Sequence, residues 1–293
     1  MNTPAITSDQ LRRIHVLQNT IQTYACGCLT SIPQLLDTPS PAPQPQAELW
    51  MGSHPRAPSR IQINGRWVTL IDVIAQYPEL FLGSGVAGRF QNQLPFLFKV
   101  LAATKALSIQ AHPDRATAIK GYNRENAQGI PLNASQRNYK DQNHKPECLC
   151  ALTPFWALCG FRSTDAIAQR LSRLCPSAKS NVIKILTSRS GKQRLRQFFR
   201  ELLGLNPEDK MVFVNEAVTQ ARSHSHADPV CRWIMHLHEQ YPGDIGVLSP
   251  AILNLICLKP GEALFLPDGE LHAYLEGTAM ELMANSDNVI RGG

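Results

Sequence analysis

The spacing of hydrophobic residues changes twice along the chain, and each change predicts a different kind of element. The stretch "LPFLFKVLAATKALSIQAHPD" (94–114) holds two short apolar runs rich in Leu, Phe and Val, which are typical of buried strands. From Ser163 to about Glu239 the apolar residues recur every three or four positions, which predicts helices. From Pro250 polar and apolar residues alternate between turn dipeptides. This alternation predicts strands at 251–258, 262–266, 271–275 and 279–284.

The helical block carries its own start signals. In "STDAIAQRLSRLC", Ile167, Leu171 and Leu174 share one helix face behind a Ser/Thr N-cap. The segment "NPEDKMVFVNEAVTQARSH" opens with an Asn cap and a Pro at the first helical position. We interpret the basic side chains of "KQRLRQFFRELLGL" as a solvated helix face rather than a nucleic-acid surface. The pattern therefore predicts a mainly β protein whose core is built from sequence-distant halves, with an all-α insertion between them.

The region before the first strand pair has no clear period. The proline-rich segment "TPSPAPQPQ" (38–46) is typical of a surface loop or an extended connector. It leads into "AELWMGSHPRAPSRI" (47–61), which is also predicted to be mostly loop.

Composition places the chain among soluble globular proteins. Of its 293 residues 43% are hydrophobic and 18% are charged, and no apolar run reaches the roughly 18 residues that a membrane span needs. The N-terminus lacks a basic region followed by an apolar one, so no secretory signal is predicted. The formal net charge of +6 favours an anionic small substrate. We expect no membrane and no nucleic-acid partner.

The eight cysteines are predicted to be reduced, which fits a cytoplasmic location. The chain is long enough to form a hydrophobic core without disulfide bonds. Cys26 and Cys28, and likewise Cys148 and Cys150, form C-x-C pairs. Structural zinc sites more often use C-x2-C spacing, so these pairs are weak candidates for metal ligands.

Polar residues two positions apart mark the two strand regions. Gln110 and His112 in "LSIQAHPD" would share one strand face, as would His272 and Tyr274 in "PGEALFLPDGELHAYLE". Glu147 begins an apolar run in "NHKPECLCAL". Burying such groups without partners costs roughly 2–7 kcal/mol each, so they need hydrogen bonds or a metal ion. Two imidazoles, one carboxylate and one amide oxygen suit a borderline-soft divalent ion, although a lone His on a strand is more often a core residue.

The remaining histidines of the helical block are weaker candidates. His224 and His226 lie two positions apart in "RSHSHADP", as do His236 and His238 in "IMHLHEQ". Side chains at i and i+2 on a helix do not face each other, so a metal role is not predicted for either pair.

The second half of the chain resembles a cupin. The second cupin motif, G-x5-P-x-G-x2-H-x3-N, is matched at Gly261, Pro267, Gly269 and His272. Glu276 stands where that motif ends in asparagine. The first motif, G-x5-H-x-H, is reduced to Gln110-x-His112, with Thr104 in place of the glycine. This reduced motif and the helical insertion point to one family.

The chain resembles type I phosphomannose isomerase, of the bacterial kind. The resemblance covers nearly the whole chain in family order and is carried by "AELWMGSHP", "LPFLFKVL", "LSIQAHPD", "GIPLNASQRNYKDQNHKPE", "ALTPFWALCGFR", "PGEALFLPDGELHAYLEG" and "ELMANSDNVIRGG". It implies a cupin-like jelly-roll core plus an all-α domain. The implied catalytic β domain is discontinuous, at 1–150 and 241–293, and the implied helical insertion occupies 151–240.

The resemblance also implies roles for individual residues. One zinc ion per chain would be held by Gln110, His112, Glu147 and His272. The implied catalytic residues are Arg291, Glu281 and Lys145, of which Glu281 is the candidate base or proton relay, unless it pairs with Lys145 or Arg291. The implied substrate-binding residues are Ser108, Lys99, Tyr274 and Asp287, with Ser108 and Lys99 at the phosphate end.

The implied reaction interconverts mannose 6-phosphate and fructose 6-phosphate through an enediol and feeds mannose and GDP-mannose metabolism. Zinc would polarise the sugar oxygens, and Arg291 would stabilise the developing negative charge. The implied partner is a small sugar phosphate, and the protein is expected to be a monomer.

Two departures from the family pattern leave alternatives open. The family's Tyr-x-Trp-Gly-Ser stretch is replaced by Tyr24-Ala-Cys26-Gly-Cys28, which would change packing near the pocket. The family continues past "NVIR" into a further β domain, whereas this sequence ends in "RGG", so we expect that domain to be absent, the terminus to be mobile and catalysis to be reduced. The alternatives are a non-catalytic cupin-like paralogue that binds metal or sugar phosphate, and another cupin enzyme such as a dioxygenase or epimerase.

Overall fold

A computed structural model describes residues 8–176, 180–188 and 193–292. The predicted lack of a secretory signal concerns mainly residues 1–7, which lie outside the described residues, as does Gly293.

The described residues form twelve strands. They are β1 (Thr20–Gln22), β2 (Glu48–Met51), β3 (Arg60–Ile63), β4 (Arg66–Thr69), β5 (Phe96–Ala103), β6 (Gln110–Ala111), β7 (Glu147–Ala151), β8 (Phe155–Phe161), β9 (Leu253–Leu258), β10 (Ala263–Leu266), β11 (His272–Ala284) and β12 (Ile290–Arg291).

Helices lie mainly between β8 and β9. They are α1 (Ser8–Leu11), α2 (Ser31–Leu35), α3 (Leu70–Gln76), α4 (Pro78–Arg89), α5 (Arg115–Ala127), α6 (Thr164–Leu174), α7 (Ser180–Thr187), α8 (Arg194–Leu203), α9 (Pro207–His224), α10 (Pro229–Gln240) and α11 (Ser249–Ile252), with a 3-10 helix at Ile245–Leu248.

A ten-stranded sheet contains strands from both ends of the chain, and β11 lies at its centre. The first half of β11 pairs antiparallel with β6 and β8, and the second half pairs with β5 and β7. The register shifts between Tyr274 and Glu276, where a bulge separates the two halves. One strand therefore joins the first 150 residues to the last 40 or so.

Several sequence predictions need correction. The protein is a mixed α/β structure with a large sheet rather than a mainly β protein. The strands predicted at 271–275 and 279–284 are one strand, β11, and the strand predicted from 251 begins at Leu253 after α11. The segment 47–61, predicted to be mostly loop, contains β2 and the start of β3. The second apolar run of 94–114 yields just the two residues of β6 because residues 104–109 are irregular.

The helical block forms where the periodicity predicted it, and α6, α9 and α10 each begin with a side-chain cap. Ser163 Oγ accepts from the Ala166 amide at 3.2 Å, and Asn206 Oδ1 accepts from the Asp209 amide at 2.8 Å. The proposed insertion boundary at 151 includes β8, which pairs in the large sheet, so the helices α6–α10 themselves span 164–240.

The two faces of β11 meet different cores. Ala273 and Leu275 pack against the helical block in one buried cluster. Tyr274 instead packs with Phe155 and Leu149 in a second cluster, inside the large sheet. Because successive strand residues point to opposite faces, His272 lies on the same inner side as Tyr274.

Candidate metal centre and active site

Strand register brings three of the predicted site residues into one row. In β6, Gln110 pairs with His272 of β11 on one side and with Arg291 of β12 on the other. Residues directly opposite each other in antiparallel strands project from the same face of the sheet. Gln110, His272 and Arg291 therefore share one face, although Arg291 is exposed at the edge.

A buried cluster of His112, Glu147 and His272 lies beside this row. Their candidate ligand atoms all lie within 4.8 Å of one another. His112 Nε2 is 3.1 Å from Glu147 Oε1, and His272 Nε2 is 3.4 Å from Glu147 Oε2. Each side chain is at most 2% exposed. Two imidazoles thus face the two oxygens of one carboxylate.

Backbone carbonyls fix the tautomer of both imidazoles. His112 Nδ1 is 2.8 Å from the Asn288 carbonyl, and His272 Nδ1 is 2.9 Å from the Glu270 carbonyl. A carbonyl oxygen can only accept, so both Nδ1 atoms carry a proton; in the neutral ring, Nε2, which has no hydrogen-bond partner in either histidine, then presents a lone pair to the carboxylate. Burial also lowers the pKa of His112, which keeps that ring neutral. Lone pairs that converge on carboxylate oxygens repel unless a cation lies among them, and this donor set suits zinc.

Two further groups contact Glu147. The Tyr274 hydroxyl donates to Glu147 Oε2 at 3.0 Å, and Lys145 Nζ is 3.2 Å from Glu147 Oε1. Burial alone would raise the pKa of Glu147, but the nearby positive charge of Lys145 is the main influence that opposes it, and the pKa lies well below its usual range. Burial next to Glu147 raises the pKa of Tyr274 well above its usual value. Glu147 is therefore ionised and Tyr274 is neutral.

A second charge cluster adjoins the first. Lys99 Nζ lies 3.3 Å from Glu281 and 3.5 Å from Glu48, and it lies over the Trp50 ring at 5.4 Å. Burial would lower the pKa of Lys99, but the two carboxylates raise it overall. Burial, then repulsion from Glu147, raises the pKa of Glu281. Glu281 pairs with Lys99, whereas pairing with Lys145 or Arg291 was the alternative from sequence.

Sequence reasoning missed Glu48 and Trp50, because their segment was predicted to be loop. The signal was nonetheless present: in "ELWM" the two residues alternate with Leu49 and Met51, as expected for a strand with one polar face. In β2, Trp50 pairs with Lys99 of β5, which places both side chains on the inner face.

Asp287 lies near the cluster but is held by different partners. Its Oδ1 atom lies 3.6 Å from His54 Nε2 and 3.4 Å from Arg56 Nη1. Burial would raise the pKa of Asp287, but His54 and Arg56 lower it to about 2. Residues 290–292 are paired in the structure, because β12 pairs with β6 and the Gly292 amide donates to the Ile109 carbonyl.

Ser108 lies apart from the residues gathered around Glu147. It lines a cavity of about 280 Å³ whose wall also includes Ala273 and Leu275. Those two residues belong to the face of β11 opposite His272 and Tyr274, so this cavity is separate from the metal centre.

Other candidate ligands do not assemble. Within residues 8–176, 180–188 and 193–292, His112, Glu147 and His272 are the one group of His, Cys, Asp or Glu close enough to hold a metal ion. The structure has all eight cysteines as free thiols. None of the helices in the described ranges is both long and apolar enough to cross a membrane.

This protein has a mixed α/β fold with a large sheet and a buried His–Glu–His cluster. These features place it among metal-binding proteins whose site is built on a β-sheet. Residues 14–164 match the family model of the phosphomannose isomerase type I catalytic domain. The chain belongs to the type I phosphomannose isomerase family.

Curated relatives include bacterial and mammalian proteins. The chain is 45% identical over 278 residues to mannose-6-phosphate isomerase of Salmonella typhimurium, covering 94% of this chain and 70% of that protein. It is 44% identical over 279 residues to the Escherichia coli protein of the same name, with the same coverage. It is 38% identical over 306 residues to the human one, covering 96% of this chain and 69% of that protein.

Solved structures agree with this assignment. A zinc-bound mannose 6-phosphate isomerase superposes with a TM-score of 0.85 at 43% identity, covering 95% of this chain and 70% of that chain. A Salmonella typhimurium mannose 6-phosphate isomerase bound to fructose 6-phosphate and zinc gives the same TM-score, identity and coverage.

Proposed function

We propose that this protein is a zinc-dependent aldose–ketose isomerase that interconverts mannose 6-phosphate and fructose 6-phosphate. The observation that carries the proposal is the pair of Nε2 lone pairs, on His112 and His272, that face the two oxygens of a buried, ionised Glu147. Family membership supports the same reaction, because relatives that bear this name extend over nearly the whole chain.

The proposed zinc ligands are Gln110, His112, Glu147 and His272. The antiparallel pairing of Gln110 with His272 supports an amide oxygen as the fourth ligand. The carbonyls behind both imidazoles support the set further, since ligating histidines commonly donate their other N–H to such a group.

Isomerisation requires ring opening and then a proton transfer between C2 and C1 by way of an enediol. When bound, zinc acts as a Lewis acid that polarises the carbonyl and hydroxyl oxygens of the sugar. Arg291 is proposed to stabilise the negative charge on the enediol oxygens, because it shares a face with Gln110 and His272 and is charged at any working pH. Besides Arg291, Lys145 supplies a second positive charge to the site and forms an ion pair with Glu147.

Glu281 is proposed as the base or as a proton relay to it. Burial and Glu147 raise its pKa, which brings a carboxylate closer to the neutral range where a base works well. The neutral Tyr274 hydroxyl connects this part of the site to Glu147. Lys99, Tyr274 and Asp287 are proposed to bind substrate, whereas Ser108, implied by the resemblance to do so, lines the separate cavity behind the metal centre.

The finer features of the fold are also proposals. We infer a cupin-like jelly-roll core, which the motif around His272 and the antiparallel pairing of strands from both halves support. A discontinuous catalytic β domain at 1–150 and 241–293 and a helical insertion domain within 151–240 follow from the position of α6–α10 between β8 and β9. A monomeric state and a cytoplasmic location stay predictions from the sequence.

A coupled assay of purified protein tests the proposed function. We expect fructose 6-phosphate to form from mannose 6-phosphate, formation to stop after chelation and activity to return with zinc. Glu147→Gln should lower activity by at least about 100-fold and abolish stoichiometric zinc, because the carboxylate is the one negatively charged ligand. Glu276→Gln, which changes an exposed carboxylate of the same sheet, should leave both unchanged. No product from wild-type protein that carries one equivalent of zinc would contradict the isomerase and favour the non-catalytic paralogue.

A further inference from the structure

The cavity behind the metal centre has the character of a second binding site. It lies between the outer face of β11 and the helical block and has a volume of about 280 Å³. Its wall is mostly apolar and includes Leu158, Leu237, Val247, Ala273 and Leu275. Ligand sites commonly combine an apolar wall with a few convergent polar groups.

One polar group in this wall has no partner. Ser249 belongs to the cavity wall and is 4% exposed, and its buried hydroxyl has no hydrogen bond to any described residue. A buried hydroxyl left unpaired costs roughly 1–3 kcal/mol. A ligand that supplies one hydrogen-bonding group at the level of Ser249 would remove that cost.

Two other polar residues of the cavity wall, Tyr241 and Asp244, already have hydrogen-bond partners. The Tyr241 hydroxyl donates to the Ala106 carbonyl at 2.6 Å, and Gln240 accepts from the Ala106 amide at 2.9 Å. These bonds connect Ala106 to the C-terminal end of α10, next to the cavity. Asp244 lies in the wall and accepts from the Gly246 amide at 2.6 Å.

Size and charge limit the occupant. A dry cavity of about 150 Å³ can hold a benzene molecule, so about 280 Å³ suits a bicyclic aromatic or a branched aliphatic compound of similar bulk. Among the described residues that line the cavity, Asp244 is charged and none is basic. An anionic sugar phosphate would therefore find no counter-charge here.

The cavity wall is continuous with the strands that carry the proposed zinc ligands. Ile109 precedes Gln110, and Ala273 lies between His272 and Tyr274. Packed interiors transmit small displacements because they contain few voids. An occupant that presses on Ile109 and Ala273 would shift the ligands on the opposite face.

We propose that this cavity binds an uncharged, largely apolar molecule of bicyclic-aromatic size with one hydrogen-bonding group, which contacts Ser249, and that occupation lowers turnover at the metal centre. The binding half stands on the cavity alone. The regulatory half rests on the proposed isomerase function.

The test uses 2-naphthol and naphthalene as probes of nearly equal size, with binding measured by saturation-transfer NMR. Wild-type protein should bind both, and 2-naphthol more tightly. Ser249→Ala should weaken the binding of 2-naphthol about fivefold, which corresponds to the loss of one hydrogen bond of about 1 kcal/mol. The affinity for naphthalene should not change. Val247→Phe, which fills the cavity, should weaken the binding of both probes at least tenfold. Val212→Phe, the same change on an exposed part of α9, should alter neither.

Circular dichroism and thermal melting establish that each variant is folded before binding is compared. No binding of 2-naphthol to the wild type at millimolar concentration would overturn the site. Equal affinity of wild type and Val247→Phe, both folded, would overturn its location, and an equal effect of Ser249→Ala on both probes would overturn the role of the hydroxyl.

Initial rates with mannose 6-phosphate test the regulatory half. Saturating 2-naphthol should lower turnover at least twofold in wild type and have no effect in Val247→Phe. Binding without any change in turnover would overturn the regulatory half of the proposal but not the binding site. Absence of isomerase activity with intact binding would count against the proposed function alone.

Discussion

At the scale of single residues, Glu147 determines what the site can do. Its two oxygens face two imidazole lone pairs, while Lys145 and Tyr274 contact the same carboxylate. The carboxylate is ionised despite its burial chiefly because the positive charge of Lys145 opposes the cost of desolvation. A cation among these atoms would resolve the repulsion of the lone pairs, which is the physical reason to expect a metal ion.

Asp287 gives a pH-dependent prediction at the same scale. Its pKa is lowered to about 2 by His54 and Arg56, so its contribution to stability is present above its unfolded pKa near 4 and is lost as the pH falls from about 4 to 2. Allowing for its partial exposure, we expect Asp287→Asn to lower the free energy of unfolding by about 1 kcal/mol at pH 7. Urea denaturation across pH measures this difference.

The difference between wild type and Asp287→Asn should shrink as the pH falls below 4. Asp37→Asn, at an exposed position, serves as the control and should show no such change. A constant difference between pH 7 and pH 3 would contradict the assigned interaction with His54 and Arg56.

At the scale of elements, the segment that leads into β12 is held by one buried amide. Asn288 is fully buried, and its side chain accepts from the backbone amides of Lys140 and Asp141 and donates to the carbonyls of Asp141 and Asn143. Its own carbonyl accepts from His112 Nδ1. The same residue thus anchors β12, which carries Arg291, and orients a proposed zinc ligand.

Asn288→Ala should therefore affect stability and activity together. We expect a loss of about 2–4 kcal/mol in the free energy of unfolding, because the five side-chain hydrogen bonds of Asn288 are removed and buried backbone groups are left unpaired. Activity should fall at least about tenfold, because the backbone carbonyl of residue 288 stays in the variant but is no longer held in place against His112 Nδ1.

Chemical denaturation and steady-state kinetics measure the two effects. Asn143→Ala is the matched control, because that exposed amide makes one hydrogen bond at 3.5 Å, and it should change stability by less than about 0.5 kcal/mol. Equal effects of the two substitutions would show that the Asn288 network is not the anchor.

At the scale of the whole molecule, the proposed ligands tie distant parts of the chain together. His112 and Glu147 precede the helical block, whereas His272 follows it. A metal ion bound to all three would add its binding free energy to the stability of the folded state, because the unfolded chain does not hold these side chains together.

Removal of the metal should therefore lower the melting temperature. At a zinc concentration 100 times Kd the linkage amounts to about 2.7 kcal/mol, which corresponds to at least about 5 °C for a protein of this size. Scanning calorimetry with chelator, and then with zinc restored, measures the shift. Glu147→Gln should show no shift with chelator, and a wild-type melting temperature that does not respond to chelator would contradict a metal at this site.

Much of this protein could be predicted from local patterns. The helix starts at Ser163 and Asn206 were predictable because capping is a property of a few adjacent residues. The pairs Gln110/His112 and His272/Tyr274 were predictable as shared faces because strand periodicity is local. The alternation of Glu48 and Trp50 with apolar residues was equally local. The strand was missed because it follows a proline-rich segment, and the whole region was predicted to be loop.

Tertiary structure decided which of these faces meet. The pairing of Gln110 with both His272 and Arg291 depends on sheet register across about 160 residues of sequence, which no local pattern encodes. Register likewise places Glu281 in contact with Lys99. The tertiary structure also brings Asp287 into contact with His54 and Arg56 rather than with the metal cluster. The sequence by itself determined the family, the helical block and the donor types. The fold alone determined which donors converge on Glu147 and how the cavity behind them is closed, because both depend on contacts between strands and helices far apart in the chain.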